Sequence, residues 1–373
     1  MRFPEFSGEW HKDRIRNLFT TNVGGDIDKA KVSNIQTDEF KYPVIANALS
    51  HDGIYGYTSE YKDDSPCITV TGRGDVGCAK YRDYPLFPIV RLLVLHSKGK
   101  IDCRFGEHAI NSIKKYEEST GVPQLTAPQL GAYSISFPNL TEQAKIGAFL
   151  KLIDERISTQ NRIIEKTKSL IKGLANLIMD NPSDCIKYLL GDLCEIKSGY
   201  SGNQLVGNNG LRVSRIETIS NQHINLDRVG FVAPFEKSEE YKLNIGDILF
   251  SNINSVEYIG NTAYIDKDYS LYHGMNLLRL IPQKPIVSPF FLYCLLNTDR
   301  LKNHFKTICN KAVSQASINQ TELSKTPLLL PDMPKQIQIA NLFKLLLGKK
   351  EIELSYYTRL IKQKKYLLSK LFI

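Results

Sequence analysis

Two stretches of this chain place apolar residues on an alternating four-and-three spacing, and the longer stretches before each do not. In the first, Ile146, Leu150, Ile153, Ile157, Ile164, Ile171, Leu174 and Ile178 share one heptad seam, interrupted only at Gln160 and Thr167. A seam this narrow predicts a helix packed lengthwise on a partner helix rather than a broad face laid on a globular core. Thr141, Glu142 and Gln143 after Pro138 make a start with an acidic first turn, and Asn181-Pro182 makes a stop. A helix over 141–180 would be roughly 60 Å long at 1.5 Å per residue. The second stretch, from Pro334 to Phe372, puts Ile339, Phe343, Leu346, Tyr357, Leu360, Leu367 and Leu371 at matching positions. Lys350, Glu353 and Lys364 break this second seam, and Gly348 weakens its middle. The expectation is two long helices packed side by side and antiparallel, each returning from its own module.

The two helices open on one motif. Phe137-Pro-Asn-Leu-Thr-Glu-Gln-Ala-Lys-Ile146 returns 193 residues later as Leu330-Pro-Asp-Met-Pro-Lys-Gln-Ile-Gln-Ile339. Leu125 with Leu130, and Ile318 with Leu323, keep the same 193-residue offset just upstream. Self-similarity at a fixed offset marks a duplicated unit. Each unit is a β-rich, turn-rich module followed by a helix, so the expected fold is α+β with a pseudo-two-fold repeat. The divisions are 1–140, 141–182, 183–333 and 334–373. In the first module Cys67–Thr71 and Ile89–Leu95 read as strands. In the second, Gly210–Arg215 and Asp247–Asn252 read as strands, and Pro289–Leu296 as a short helix.

Charge locates the excess. Of 373 residues, 48 are Lys or Arg and 39 are Asp or Glu, a net charge of +9. Residues 1–140 carry 17 of each sign and 181–333 carry 15 of each, whereas 141–180 carry 7 against 5 and 334–373 carry 9 against 2. The modules are neutral and the helices hold the whole excess. Such a stripe suits either a solvated helix face or contact with phosphates or an acidic partner. The seven cysteines form no CxxC pair, and no apolar run approaches the length of a membrane span. Reduced thiols in a cytoplasm are expected.

No motif supplies a catalytic constellation. Gly72-Arg-Gly-Asp-Val-Gly77 fits GxGxxG after a strand, but Pro85 soon ends the segment beyond it, so a glycine-rich β-turn is expected rather than a dinucleotide site. The histidines have no metal-ligand spacing, and no P-loop is present. What remains is polar and aromatic loop chemistry. In the first module the candidates for DNA contact are Asn47, Tyr57, Arg73, Lys80, Tyr81, Arg82, Gln124 and Thr126, with His51 and Tyr55 nearby. In the second they are Arg212, Ser214, Arg215, Asn252, Asn254, Ser255, Lys311, Ser314, Gln315 and Ser317, with His273 and Asn276 nearby. Arg, Asn and Gln make bidentate contacts to base edges, while Lys, Ser and Tyr hold phosphates.

Several segments carry a family resemblance. They are Phe3-Pro-Glu-Phe-Ser-Gly-Glu-Trp10, Gly246-Asp-Ile-Leu-Phe-Ser-Asn252, Ile259-Gly-Asn-Thr-Ala263, Pro138-Asn-Leu-Thr-Glu-Gln-Ala-Lys-Ile-Gly-Ala-Phe-Leu150 and Leu152-Ile-Asp-Glu-Arg-Ile157. With the duplicated architecture, they make the chain resemble the specificity (S) subunit of type I restriction–modification enzymes along essentially its whole length. The second copy departs from the pattern at Lys335, where an acid is expected, and at Leu346-Leu-Gly348. The resemblance implies two target-recognition domains, each reading one half of a split site in double-stranded DNA, with the helices as a ruler for the unread spacer. It implies no catalysis in this chain and no cofactor or metal of its own. Two methyltransferase (M) subunits would bind S-adenosylmethionine, and restriction (R) subunits would bring ATP and Mg. Outside the resemblance, a stand-alone DNA-binding regulator and a coiled-coil protein scaffold stay open.

Overall fold

The computed structural model describes residues 2–113, 124–179, 185–207, 209–220, 222–311 and 315–372, with side chains at all of these except 176–179. The Asn181-Pro182 stop, the Ile178 side chain and Ser314 lie outside the described residues. The chain divides into two compact units, Met1–Asn161 with Ser355–Ile373, and Arg162–Leu354.

The units repeat one topology. In the first, strand His11–Arg14 pairs antiparallel with Ser134–Phe137, and the helical turn Ile15–Leu18 leads into strand Phe19–Val23. That strand edges an antiparallel sheet ordered Phe19–Val23, Leu93–Ser97, Cys67–Val70, Ala79–Arg82. In the second unit, Ile186–Leu189 pairs with Pro327–Leu330, and the turn Leu190–Leu193 leads into a sheet ordered Cys194–Ser198, Leu278–Pro282, Ile248–Phe250, Thr262–Tyr264. Helix Cys103–Asn111 follows the first sheet and helix Pro289–Leu296 the second. The expected strand over Ile89–Leu95 is shortened. Val90 and Arg91 take positive φ of 54° and 59°, which bends the chain before the strand resumes at Leu93.

The central helix runs Leu140–Met179 and the C-terminal helix Met333–Leu371. Each unit takes half of each helix. In the first unit Ile146 and Leu150 pack with Phe105 and Leu371 in one core, and Trp10 leans on it. Asp154 pairs with Lys364 and Arg156 with Tyr356, so numbering rises along one helix as it falls along the other. In the second unit Ile171, Leu174 and Ile339 pack on the cluster holding Ala340 and Phe343. Burial follows the seam closely. Ile146, Leu150, Ile164, Phe343, Leu360, Leu367 and Leu371 are buried, and Ile153, Ile157, Ile171, Leu174, Ile339, Leu346 and Tyr357 half-buried. One expectation is corrected: Gln160 and Thr167 are buried, and Lys350, Glu353 and Lys364 half-buried, so the seam runs through these polar positions instead of breaking at them.

The repeated motif is explained by one side chain. Gln143 is 0% exposed; its Oε1 accepts the Asp102 backbone N–H at 2.9 Å, and its Nε2 donates to the Pro138 and Lys100 carbonyls at 2.8 and 3.1 Å. Gln336 is 2% exposed; its Oε1 accepts the Ser288 N–H at 2.9 Å, and its Nε2 donates to the Pro331 and Ile286 carbonyls at 2.9 and 3.3 Å. Asp102 and Ser288 are the N-caps of the two post-sheet helices. The glutamine therefore pins the start of each long helix to the start of the helix before it, pairing buried backbone groups that would otherwise be orphaned. Asn139 and Asp332 cap the two starts, accepting from Glu142 N at 2.9 Å and Lys335 N at 3.1 Å. The acid missing at Lys335 is not needed for the helix start. Glu142 instead meets Arg2 at 2.6 Å, a contact of the first unit alone.

Candidate nucleic-acid interface

In the first module the Gly72–Gly77 stretch is the hairpin turn between Cys67–Val70 and Ala79–Arg82, as its continuation into a strand requires. Gly74 and Gly77 sit at φ of 70° and 82°, where a side chain would be strained. Asn47 anchors this turn: its Oδ1 accepts Gly72 N at 2.7 Å and its Nδ2 donates to the Val90 carbonyl at 2.5 Å. Leu125 N donates to Gly72 O, and Arg73 bridges to Gln124. Thr126 caps helix Ala127–Ala132 in a reciprocal box with Gln129. Asn47, Arg73, Gln124 and Thr126, scattered over eighty positions of sequence, therefore meet at one turn.

The other candidates of this module stand on the neighbouring strand. Arg82 is buried and donates to Asp52 Oδ2 at 2.7 Å, Asp52 O at 3.0 Å, Thr69 Oγ1 at 3.1 Å and Tyr84 Oη at 2.8 Å. It builds the loop rather than its surface. Lys80 is exposed and also pairs with Asp52. Tyr81 lies under the Arg104 guanidinium at 5.1 Å, and burial raises its pKa. Tyr57 is half-buried, its backbone bonded to Ser33, and Tyr55 is exposed. His51 and Asp52 take φ of 49° and 62°. Asp52 is the organising residue that the sequence reading missed; nothing in the sequence distinguishes it from other loop acids.

In the second module a three-stranded ribbon gathers most candidates. Ile253–Asn254 pairs with Ala316–Ser317, which pairs with Asn310–Lys311. Asn254, Lys311 and Ser317 thus share one small sheet and Asn252, Ser255 and Gln315 flank its strands, with Lys311 and Gln315 exposed. Asn252 Nδ2 donates to Ile318 O at 3.3 Å; Asn254 donates to Ser251 Oγ at 3.1 Å and accepts Ser255 N at 2.8 Å. Arg212, Ser214 and Arg215 lie on and beside another ribbon, Leu211–Val213 paired with Gly230–Val232. Ser214 is buried and accepts Gly274 N at 3.0 Å, whereas Arg215 is exposed and 3.7 Å from Glu217. A cavity of about 140 Å³ beside Asn254 is lined by Ile216, Ile219, Ser251 and Tyr258. His273 is buried, donates from Nε2 to Leu277 O at 3.0 Å, and is pushed down to about 4 by burial; Asn276 is exposed.

Each module therefore holds an antiparallel sheet carrying loops whose buried polar groups fix the backbone and whose exposed side chains include Lys80, Gln124, Arg215, Lys311 and Gln315. That division suits edge and phosphate contacts, which need donors held in place from behind. Among the described residues no group of His, Cys, Asp and Glu could hold a metal ion, and no helix is long and apolar enough to cross a membrane.

Comparison with known proteins bears on the reading. A family described as the type I restriction modification DNA specificity domain matches twice, over residues 7–169 and 182–358. A putative type I restriction enzyme MjaX specificity subunit from Methanocaldococcus jannaschii is 42% identical over 200 residues, 51% of this chain and 46% of that protein. A putative type I specificity subunit S.MpnORF89P from Mycoplasma pneumoniae is 33% identical over 128 residues, 34% of this chain and 38% of that protein. The chain thus spans less than half the length of these relatives. Among solved structures, the S subunit of a type I restriction–modification system from M. genitalium superposes with a TM-score of 0.69 at 19% identity, covering 100% of this chain and 99% of that one. A chain from a study of complex assembly in the type I R-M system gives a TM-score of 0.56 at 17% identity, covering 99% and 98%. At these identities the structures share the fold.

Proposed function

We propose that this chain, which belongs to the type I restriction modification DNA specificity family, is the DNA-reading subunit of a cytoplasmic methyltransferase or restriction complex. Each module reads one half of a bipartite site in double-stranded DNA. The long helices set the unread spacer and offer the docking surface for two methyltransferase subunits. Catalysis, S-adenosylmethionine, ATP and Mg belong to the partner subunits. The observation that carries the reading is the contrast between frame and loops. The two units keep one sheet order and one buried glutamine clamp, yet place different side chains on their exposed loop edges. Duplication preserved what holds and left free what would read. The base contacts are assigned to Arg73 and Gln124 at the Gly72–Gly77 turn and to Lys311, Gln315 and Ser317 at the second module's ribbon.

The test is methylome sequencing of a host expressing this chain with a methyltransferase. Inserting one heptad into each long helix, at matching seam positions, preserves the packing and adds about 10 Å, close to three base pairs. The methylated site should gain spacer and keep both half-sites. Altered half-sites with an unchanged spacer would sink the ruler. A stand-alone regulator would bring down no methyltransferase on purification, and a protein scaffold would show no salt-dependent DNA affinity.

A further inference from the structure

The glutamine clamps give a register for comparing the interiors of the two units, and one position breaks the symmetry chemically. Eleven residues beyond Gln143 stands Asp154, and eleven beyond Gln336 stands Leu347. Twenty-eight residues beyond the same clamps stand Ile171 and Lys364. Six residues beyond the caps Asp102 and Ser288 stand His108 and Cys294. In the first unit these places form a polar cluster. Lys364 pairs with Asp154, whose other oxygen is 3.9 Å from His108 Nε2. His108 is buried, and burial, then Lys364, hold its pKa down to about 4, so it faces the pair uncharged at neutral pH. Glu107 and Lys80 complete the charged surroundings. In the second unit the same places carry no charge: Ile171, Leu347 and Cys294 line one cavity of about 210 Å³ with Phe343 and Tyr293, and Lys168, Lys172, Lys350 and Asp299 stand around it.

We propose that the Asp154–Lys364 pair selects which helices pair, directing a central helix onto a C-terminal helix and against an exchange with a second copy that lays like helix on like. Both helices carry the same seam spacing, so nothing in the spacing forbids two copies from laying central helix on central helix and C-terminal helix on C-terminal helix. The chemistry does. In that exchanged arrangement Asp154 would face Ile171 of the second copy, and Leu347 would face its Lys364. One module would hold a half-buried carboxylate without its ammonium and the other an added ammonium beside Lys168, Lys172 and Lys350, so attraction is lost in the first and like-charge repulsion gained in the second. The native arrangement matches charge with charge and apolar with apolar. A single polar pair in an apolar seam fixes partner and register in coiled coils by the same means. This selection does not depend on what the modules bind.

The experiment uses the full chain carrying two different tags, co-refolded from denaturant, with capture of one tag and quantification of the other. Wild type should show little mixed species. D154L/K364I makes both units apolar here, and I171K/L347D makes both polar; each keeps native pairing satisfied and removes the penalty on exchange. Capture should rise about tenfold or more in each, the effect of a preference of one pairing over the other by an order of magnitude. D154K/K364D keeps the asymmetry and should stay at the wild-type level. Either double variant, if folded, suffices to decide. The proposal is overturned if a folded apolar or polar double variant captures no more than wild type, or if D154K/K364D captures as much as they do.

Discussion

Replacing Gln143 by alanine removes three hydrogen bonds from a site closed to solvent. The Asp102 N–H loses its acceptor, and the Pro138 and Lys100 carbonyls lose their donor. Each bond contributes roughly 1 kcal/mol net, and each buried group left unpaired costs about 1–3 kcal/mol, so the first unit should lose about 3 kcal/mol. Gln143→Glu is the sharper probe. It keeps the acceptor but aims a carboxylate oxygen at two carbonyls, so the buried acid must protonate to fit. Its folded pKa is raised above the unfolded value, the folded state holds the extra proton, and stability is lost as pH rises through that range. Gln143→Glu should therefore be worst at neutral pH and recover toward acid, while Gln143→Ala should not.

The assay is built into the chain. Trp10 is the single tryptophan, and its ring packs 5.8 Å from Phe105 and 6.1 Å from Phe372 in the first unit. Its fluorescence in urea reports that unit. With m near 3 kcal/mol/M, a loss of about 3 kcal/mol lowers the midpoint by about 1 M. A Gln143→Glu midpoint within about 0.2 M of wild type at neutral pH would refute the clamp.

Further outcomes follow from the buried charges of the second unit. Arg279 and Asp247 are 4% and 5% exposed at the side chain and meet at 2.6 Å, so Arg279→Met strands a carboxylate and should cost about 3–5 kcal/mol near neutral pH in calorimetry. Burial already raises the Asp247 pKa against the pull of Arg279, so this deficit should shrink as the carboxylate protonates toward acid. His273, held down to about 4 by burial, binds its proton less readily folded than unfolded. Its contribution, about 3 kcal/mol, is present above the unfolded pKa near 6.5 and lost as pH falls toward 4. His273→Gln should flatten thermal stability across that window, and an unchanged slope would count against the assignment.

Much of the frame was legible because it is periodic. The seam, the helix starts and Pro289–Leu296 follow from spacing and punctuation, which are local properties. The Val90–Arg91 bend was hidden because its left-handed backbone lies inside a run that is β-branched and apolar except at Arg91, where composition argues for a strand. The loop candidates were legible as types but not as roles. Arg82 and Arg73 look alike in sequence, yet one is consumed by Asp52 and the other sits on the turn, and only long-range packing separates them.

The polar interruptions of the seam carry the strongest lesson about what periodicity hides. Read alone, Lys364 is a defect in a heptad, and Asp154 is one acid on a helix face. Neither can be assigned a partner from its own helix, because 210 residues separate them. Only when the glutamine clamps set the two units in register does the defect acquire a counterpart: Ile171 and Leu347 stand where Lys364 and Asp154 would stand under exact repetition. A duplicated chain that had kept perfect symmetry would have no means of telling its two helices apart. The departures from the repeat are therefore the positions at which the halves become distinguishable, and distinguishable halves are what the proposed reading of a split site requires.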